Sequence, residues 1–148
     1  MRISFDLDKT LFVDPESIPV EPELQFPFNK IYKDRLRLGA ASFLKELSNS
    51  TVELWLYTVS DRSERYIRSY FNHYDVKIDR LVFPKKEPEL SPANTTTDIH
   101  VDDKMTVYHN GDSFVYDING SEKSWTDIIR SELENIRITK LIEKYGQA

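Results

Sequence analysis

The sequence contains no cysteine, which excludes a disulfide framework and any thiolate-held metal. It also lacks an apolar run of about 18 residues, the length a membrane-spanning helix needs. Its three histidines, His73, His100 and His109, do not have the paired spacing of a zinc site. Cations are outnumbered: 20 Lys and Arg stand against 25 Asp and Glu, a formal net charge of −5 that argues against broad nonspecific nucleic-acid binding. There is no internal repeat, low-complexity tract or interdomain linker, and 148 residues suit a single domain with a real core. A strand-like run begins by residue 3 and leaves no room for a signal peptide. With the other absences, this gives the expectation of a cytoplasmic location.

What the chain does contain is concentrated first in its opening ten residues. Arg2-Ile3-Ser4-Phe5 is a short β-favouring run, and Asp6-Leu7-Asp8-Lys9-Thr10 follows directly. Two carboxylates spaced i, i+2 at the end of an apolar strand are unsuited to a core, because burying unpaired charge is costly. At the carboxyl edge of a parallel sheet the conflict disappears. Side chains there leave the core and enter the crevice where open α/β sheets bind ligands.

Residues 12–36 carry Pro15, Pro19, Pro22 and Pro27 among acidic and aromatic residues, which excludes a regular helix and suggests a flap-like excursion over the end of the first strand. Ala40, Phe43, Leu44 and Leu47 then recur at i, i+3, i+4, i+7, predicting a helix over 40–47. Residues 51–57 read as a second strand ending in Thr58-Val59-Ser60, with Ser60 as the cap of a helix running to about Tyr74. A third strand is expected over 77–83, stopped by Pro84, and residues 85–92 read as a loop. Residues 97–101 form a fourth strand that delivers Asp102-Asp103, residues 113–118 a fifth, and Asn119-Gly120 a turn. From about residue 124 to 144 the apolar period is again helical. Strands alternating with helices imply βαβ units, and the expected fold is a three-layer α/β/α sandwich with a mainly parallel sheet. Right-handed crossovers would bring the strand tips to one edge.

Four polar signals then fall at strand ends: Asp6 with Asp8, Thr58, Lys85 or Lys86, and Asp102 with Asp103. Carboxylate oxygens suit Mg²⁺, which takes one or two protein carboxylates, waters and phosphate oxygens. A cation, a lysine and a threonine hydroxyl are what a phosphoryl group needs to offset its charge. A carboxylate is also able to act as nucleophile, forming an aspartyl-phosphate.

This set, in this order from Asp6 to Asp103, resembles the haloacid dehalogenase superfamily of phosphohydrolases. The resemblance implies Asp6 as nucleophile and Asp8 as general acid/base, with Thr58 hydrogen-bonding the transferring phosphoryl. It implies a Rossmann-like sheet and a Mg²⁺ held by Asp6, the Asp8 carbonyl and Asp102, with Asp103 as a ligand or a supporting partner. For the phosphate-binding lysine it selects Lys85, by aligning Pro88 with the family's second proline, with Lys86 as the alternative. Family members commonly carry an inserted cap domain. Here the Pro-rich stretch of 12–36 is all that is left over, so a capless, open site is expected, suited to a bulky substrate such as a phosphoprotein or a nucleic-acid end. A self-capping oligomer acting on a small metabolite is the other option.

Two other classes use a similar set. A phosphorylation-dependent receiver domain also has an acidic pair, an acceptor Asp, a Thr or Ser and a Lys, but its acidic pair comes first in the chain. A catalytically inactive binding module on the same fold would have lost a motif residue. Elsewhere, Arg62, Arg65 and Arg68 read as a solvated helix face, Trp55 as core, and His100 as packing within the sheet rather than supporting the site. Phe12, Phe26, Phe28 and Tyr32 read as packing of the excursion on the body, ahead of lining a substrate entrance.

Overall fold

The structure, a computed structural model, describes residues 1–90, 97–103 and 124–146, together with the backbone of 106–109 and 112–115. Six strands form among them: β1 (Arg2–Asp6), β2 (Glu53–Tyr57), β3 (Arg80–Val82), β4 (Ile99–Val101), β5 (Thr106–His109) and β6 (Asp112–Val115). They make one sheet in the order β3-β2-β1-β4-β5-β6. The first four are mutually parallel, and β5 and β6 continue the sheet antiparallel beyond β4. The fold is α/β.

Register and the two-residue period of strands divide the side chains between the faces. Ile3 lies beside Leu54 and Ile99, and Phe5 beside Leu56 and Val101. These apolar residues join a single core cluster with the buried faces of α2 (Ala40–Ser48), α3 (Glu64–Asn72) and α4 (Trp125–Tyr145). The alternate positions, Ser4, Trp55, Tyr57 and His100, belong to the opposite face. There a smaller cluster of Trp55, Tyr57 and Val82 is covered by Leu90, from the 3₁₀ turn Pro88–Leu90. Trp55 is core as expected, with the Arg2 guanidinium 3.9 Å above its ring.

Several boundaries differ from those read in the sequence, each for a local reason. Helix α3 starts at Glu64 rather than after Ser60, because Ser63 is the cap and accepts from the Tyr66 amide at 3.1 Å. Ser60 instead spends its hydroxyl on Thr58, 2.8 Å away. β3 is three residues rather than seven, since its ladder extends only opposite Trp55 to Tyr57, while Val76 and Ile78 are buried in the main cluster. β5 is absent from the sequence expectations, although Asn110-Gly111, a hairpin signal, directly follows it in the sequence. β6 spans 112–115; residues 116–118 and the Asn119-Gly120 turn lie outside the described residues, as do Ser91 and Pro92.

The Pro-rich excursion leaves β1 and returns beside itself, with bridges from Phe12 to Leu36 and from Val20 to Arg37. It makes one helical turn, α1 (Phe28–Ile31), directly after Pro27, where proline is tolerated. Its aromatics mostly pack: Phe12 lies parallel to Phe71 at 5.7 Å and edge-on to Tyr70 at 4.7 Å, and Tyr32 meets Tyr66 and His73. Phe26 is the exception, at 78% exposure. The Glu21 carboxylate reaches from the excursion to the start of α2, accepting from the amides of Gly39 (3.0 Å) and Ala41 (3.2 Å).

Candidate active site

The chain runs from the central β1 outward to β2 and β3 and then crosses to β4 on the other side of β1. The order therefore reverses between β1 and β4, and in open α/β sheets the ligand crevice lies outside the carboxyl ends of the strands at such a switch point. Asp6 closes β1, and Asp102 immediately follows β4. The β1–β4 register pairs Phe5 with Val101, so one further step sets Asp6 opposite Asp102, on strands about 4.8 Å apart.

Leu7 continues the alternation past the end of β1. It is fully buried and its amide donates to the Tyr57 carbonyl at 2.8 Å, which turns Asp6 and Asp8 out on either side of it. Lys9, at φ 64°, adopts a left-handed backbone that carries the chain back so that the Lys9 amide reaches the Phe12 carbonyl.

The Asp6 carboxylate is 38% exposed and meets His100 Nε2 at 3.0 Å. His100 is buried, and its other ring nitrogen lies 2.7 Å from the Ser4 hydroxyl. A Ser4–His100–Asp6 chain thus runs along the second face of the sheet and orients the Asp6 oxygen. His100 packs within the sheet, as its sequence context suggested, and also supports the site.

Asp8 is held by different partners. Thr58, buried just past β2, donates its hydroxyl to Asp8 Oδ2 at 2.8 Å. Arg62 donates through Nη1 to Asp8 Oδ1. The expectation that Arg62 belongs to a solvated helix face is thereby corrected. Its guanidinium is a fork bound to two carboxylates, with Nε and Nη2 on Asp34 at 2.9 and 2.7 Å. Of the three arginines, Arg65 and Arg68 are the ones exposed on α3. The hydrogen bond to Asp34 raises the Arg62 pKa above its ordinary value, more than burial lowers it, and Asp8 adds to the rise. Tyr66, pushed up to about 12 first by burial and then by its bond to Asp34, stays a hydroxyl donor to that carboxylate at 2.8 Å. Neither Arg62 nor Asp34 was picked out as a site residue in the sequence.

Lys85 and Lys86 are both exposed and share with Thr58 an open cleft of about 820 Å³. The cleft walls come entirely from residues 58–87, with Arg68 and Arg80 at positions along it, and the excursion contributes nothing to them. The Lys86 ammonium sits 5.3 Å over the Phe83 ring. On the far side, Asp102 is partly buried and Asp103 exposed.

Among the described residues, no group of three or more carboxylate or imidazole side chains is gathered closely enough to hold a metal ion. Both Asp8 carboxylate oxygens are engaged by Thr58 and Arg62, so its side chain is not an open metal ligand. None of the described helices is long and apolar enough to cross a membrane. No protein-family model matches the chain, and comparison with curated proteins and with solved structures likewise finds no match.

Proposed function

We propose that this chain is a phosphate-monoester hydrolase of the haloacid dehalogenase type, acting through an aspartyl-phosphate on Asp6. The observation that carries the reading is the order of the strand tips. Lys85 lies beyond β3, Thr58 follows β2, Asp6 closes β1 with Asp8 just beyond it, and Asp102 follows β4, on four adjacent parallel strands. Residues up to 96 positions apart in sequence thus share one sheet edge at the topological switch point. The three-layer fold of that family belongs to the same proposal; among the described residues α2, α3 and α4 all pack in the cluster of the Ile3 and Phe5 face.

The Asp6 carboxylate, aimed by His100, attacks phosphorus while the bond to the leaving oxygen breaks. Asp8 gives its proton to that oxygen as the electron pair departs. Asp8 then takes a proton from water, whose oxygen displaces the Asp6 carboxylate and releases inorganic phosphate. While Asp8 is protonated, Thr58 accepts from it and turns its own hydroxyl proton to the phosphoryl oxygens, and Lys85 supplies the cation. Lys85 is favoured over Lys86 because the Lys86 ammonium rests on Phe83.

Asp6, Asp102 and the Asp8 carbonyl fit Mg²⁺ in kind, as oxygen donors. With no larger acidic cluster among the described residues, the proposed site rests on two carboxylates, the upper end of the one or two that Mg²⁺ usually takes. When bound, it would offset the charge of the phosphoryl group against that of the two carboxylates. The open cleft beside Thr58, Lys85 and Lys86, whose walls include neither Asp6 nor Asp8 nor any residue of the excursion, leaves room for a substrate whose phosphate is carried on a large body.

Hydrolysis of p-nitrophenyl phosphate in Mg²⁺ tests the reading. Turnover silenced by EDTA, restored by Mg²⁺ and abolished in a folded Asp6→Asn variant is the expected result. Undiminished turnover in Asp6→Asn would sink it.

A further inference from the structure

Arg62 is the point where the Pro-rich excursion, α3 and the proposed acid/base meet. Its Nε and Nη2 lie on the two oxygens of Asp34, and its remaining terminal nitrogen on Asp8. Asp34 is itself fixed at both ends: Tyr66 donates to its carboxylate at 2.8 Å, and Tyr70 to its backbone carbonyl at 3.0 Å. Phe12 lies under the guanidinium at 5.0 Å. A planar fork tied on one edge by a bidentate carboxylate has no rotational freedom to spare. Asp8 therefore meets a donor of fixed position on one oxygen.

We propose that Arg62 is a positioning residue for Asp8, anchored from behind by Asp34, so that the excursion sets the geometry of the acid/base. This rests on the phosphatase reading above. Arg62 occupies Asp8 Oδ1, which leaves Oδ2, beside Thr58, as the oxygen that exchanges the proton. The Thr58 hydroxyl accommodates both states, because it rotates to donate to the carboxylate or to accept from the acid, with Ser60 2.8 Å away as its second partner. In the forward step the phosphorus–oxygen bond breaks, the leaving oxygen keeps the electron pair, and the proton on Oδ2 passes to it. In the second step water returns a proton to the same atom. Arg62 touches neither substrate nor phosphorus in this scheme; Asp34 acts one contact further out.

Leaving-group dependence separates this role from a merely structural one. p-Nitrophenolate departs with little need of a proton, whereas phenolate needs one. Wild type, Arg62→Ala, Arg62→Lys and Asp34→Asn are compared on p-nitrophenyl phosphate and phenyl phosphate, with melting curves to establish folding. In Arg62→Ala, kcat on phenyl phosphate should fall about 100-fold with KM within about threefold, and on p-nitrophenyl phosphate by less than about tenfold. Arg62→Lys should recover part of the loss, since an ammonium reaches one carboxylate but not both. Asp34→Asn, with Arg62 intact, should lose about tenfold in the same leaving-group-dependent way. Equal losses on the two substrates, or a loss confined to KM, would overturn the proposal. Asp6→Asn run alongside distinguishes the two levels: activity surviving there refutes the phosphatase reading rather than the role of Arg62. An NMR signal for the Arg62 Nε proton gives a check independent of turnover. It should be slowly exchanging in wild type and lost in Asp34→Asn, and its absence from wild type overturns the anchor.

Discussion

Replacing His100 with phenylalanine separates the packing of that side chain from its hydrogen bonds. The ring meets Tyr57 edge-on, with centroids 5.4 Å apart and planes at 82°, and phenylalanine keeps that contact. Two bonds are lost. The bond to Asp6 is charge-assisted, but Asp6 is 38% exposed and water replaces the donor, so its loss costs about 1 kcal/mol. The Ser4 hydroxyl is fully buried and keeps only the 3.4 Å contact to the Ile99 carbonyl, at a further cost of about 1 kcal/mol. The sum of about 2 kcal/mol corresponds to a fall in Tm of about 4–8 °C for a chain of this size. Adding Ser4→Ala removes the stranded hydroxyl and should recover about half of that fall. Thermal melts of the two single variants and the double variant supply the cycle. In kinetics, an Asp6 carboxylate without its fixed donor should lose about tenfold to a hundredfold in kcat. A Tm drop under about 1 °C, or no recovery in the double variant, would refute the Ser4–His100–Asp6 chain as an energetic unit.

Two further predictions concern stability. Burial alone would raise the Asp98 pKa, but the 2.8 Å bond from Lys140 and the 2.8 Å bond from the Arg2 amide outweigh it and hold the group below its usual value. The stabilisation is therefore present above the unfolded pKa and lost as pH falls through the folded one, so the Tm difference between wild type and Asp98→Asn should hold from pH 7 to 5 and shrink below about pH 4. The Thr10 hydroxyl is buried without a partner among the described residues, so Thr10→Val should leave Tm unchanged or raise it; a fall of more than about 3 °C would point to a partner there.

The sequence made the parallel heart of this fold legible because two periodicities coincide in it. The helix from Ala40 was readable from its apolar spacing, and it ends within a residue of where that spacing stops. The strand at Glu53–Tyr57 was readable from its composition. Legibility failed where tertiary partners decide the outcome. β3 is confined to the three residues that pair with Trp55 to Tyr57, and the residues before it are not part of that ladder. The competition between Ser60 and Ser63 for the α3 cap was settled by Thr58, which takes the Ser60 hydroxyl. Nothing in residues 60–64 alone ranks the two serines.

The candidate site divides along the same line. Asp6, Asp8, Thr58 and Asp102 could be picked out because each sits where an apolar run gives way to a polar residue, and that pattern is local. Arg62 could not, because its meaning depends on Asp34, which lies 28 positions earlier in a segment with no regular periodicity. An arginine beside an acidic residue on a helix reads as a solvated pair, and that reading holds for Arg68 with Glu64. Arg62 differs by about one turn of chain: it precedes the cap of α3 instead of lying on the helix, so its side chain turns toward the end of β1 and not toward solvent. Its two carboxylates compete for one cation, and the excursion wins two of the three contacts. The Pro-rich segment consequently does more than cover the end of β1. Through Asp34 and Phe12 it braces the guanidinium that in turn braces Asp8. A change in that segment is thereby able to reach Asp8, the proposed acid/base, without touching the cleft walls.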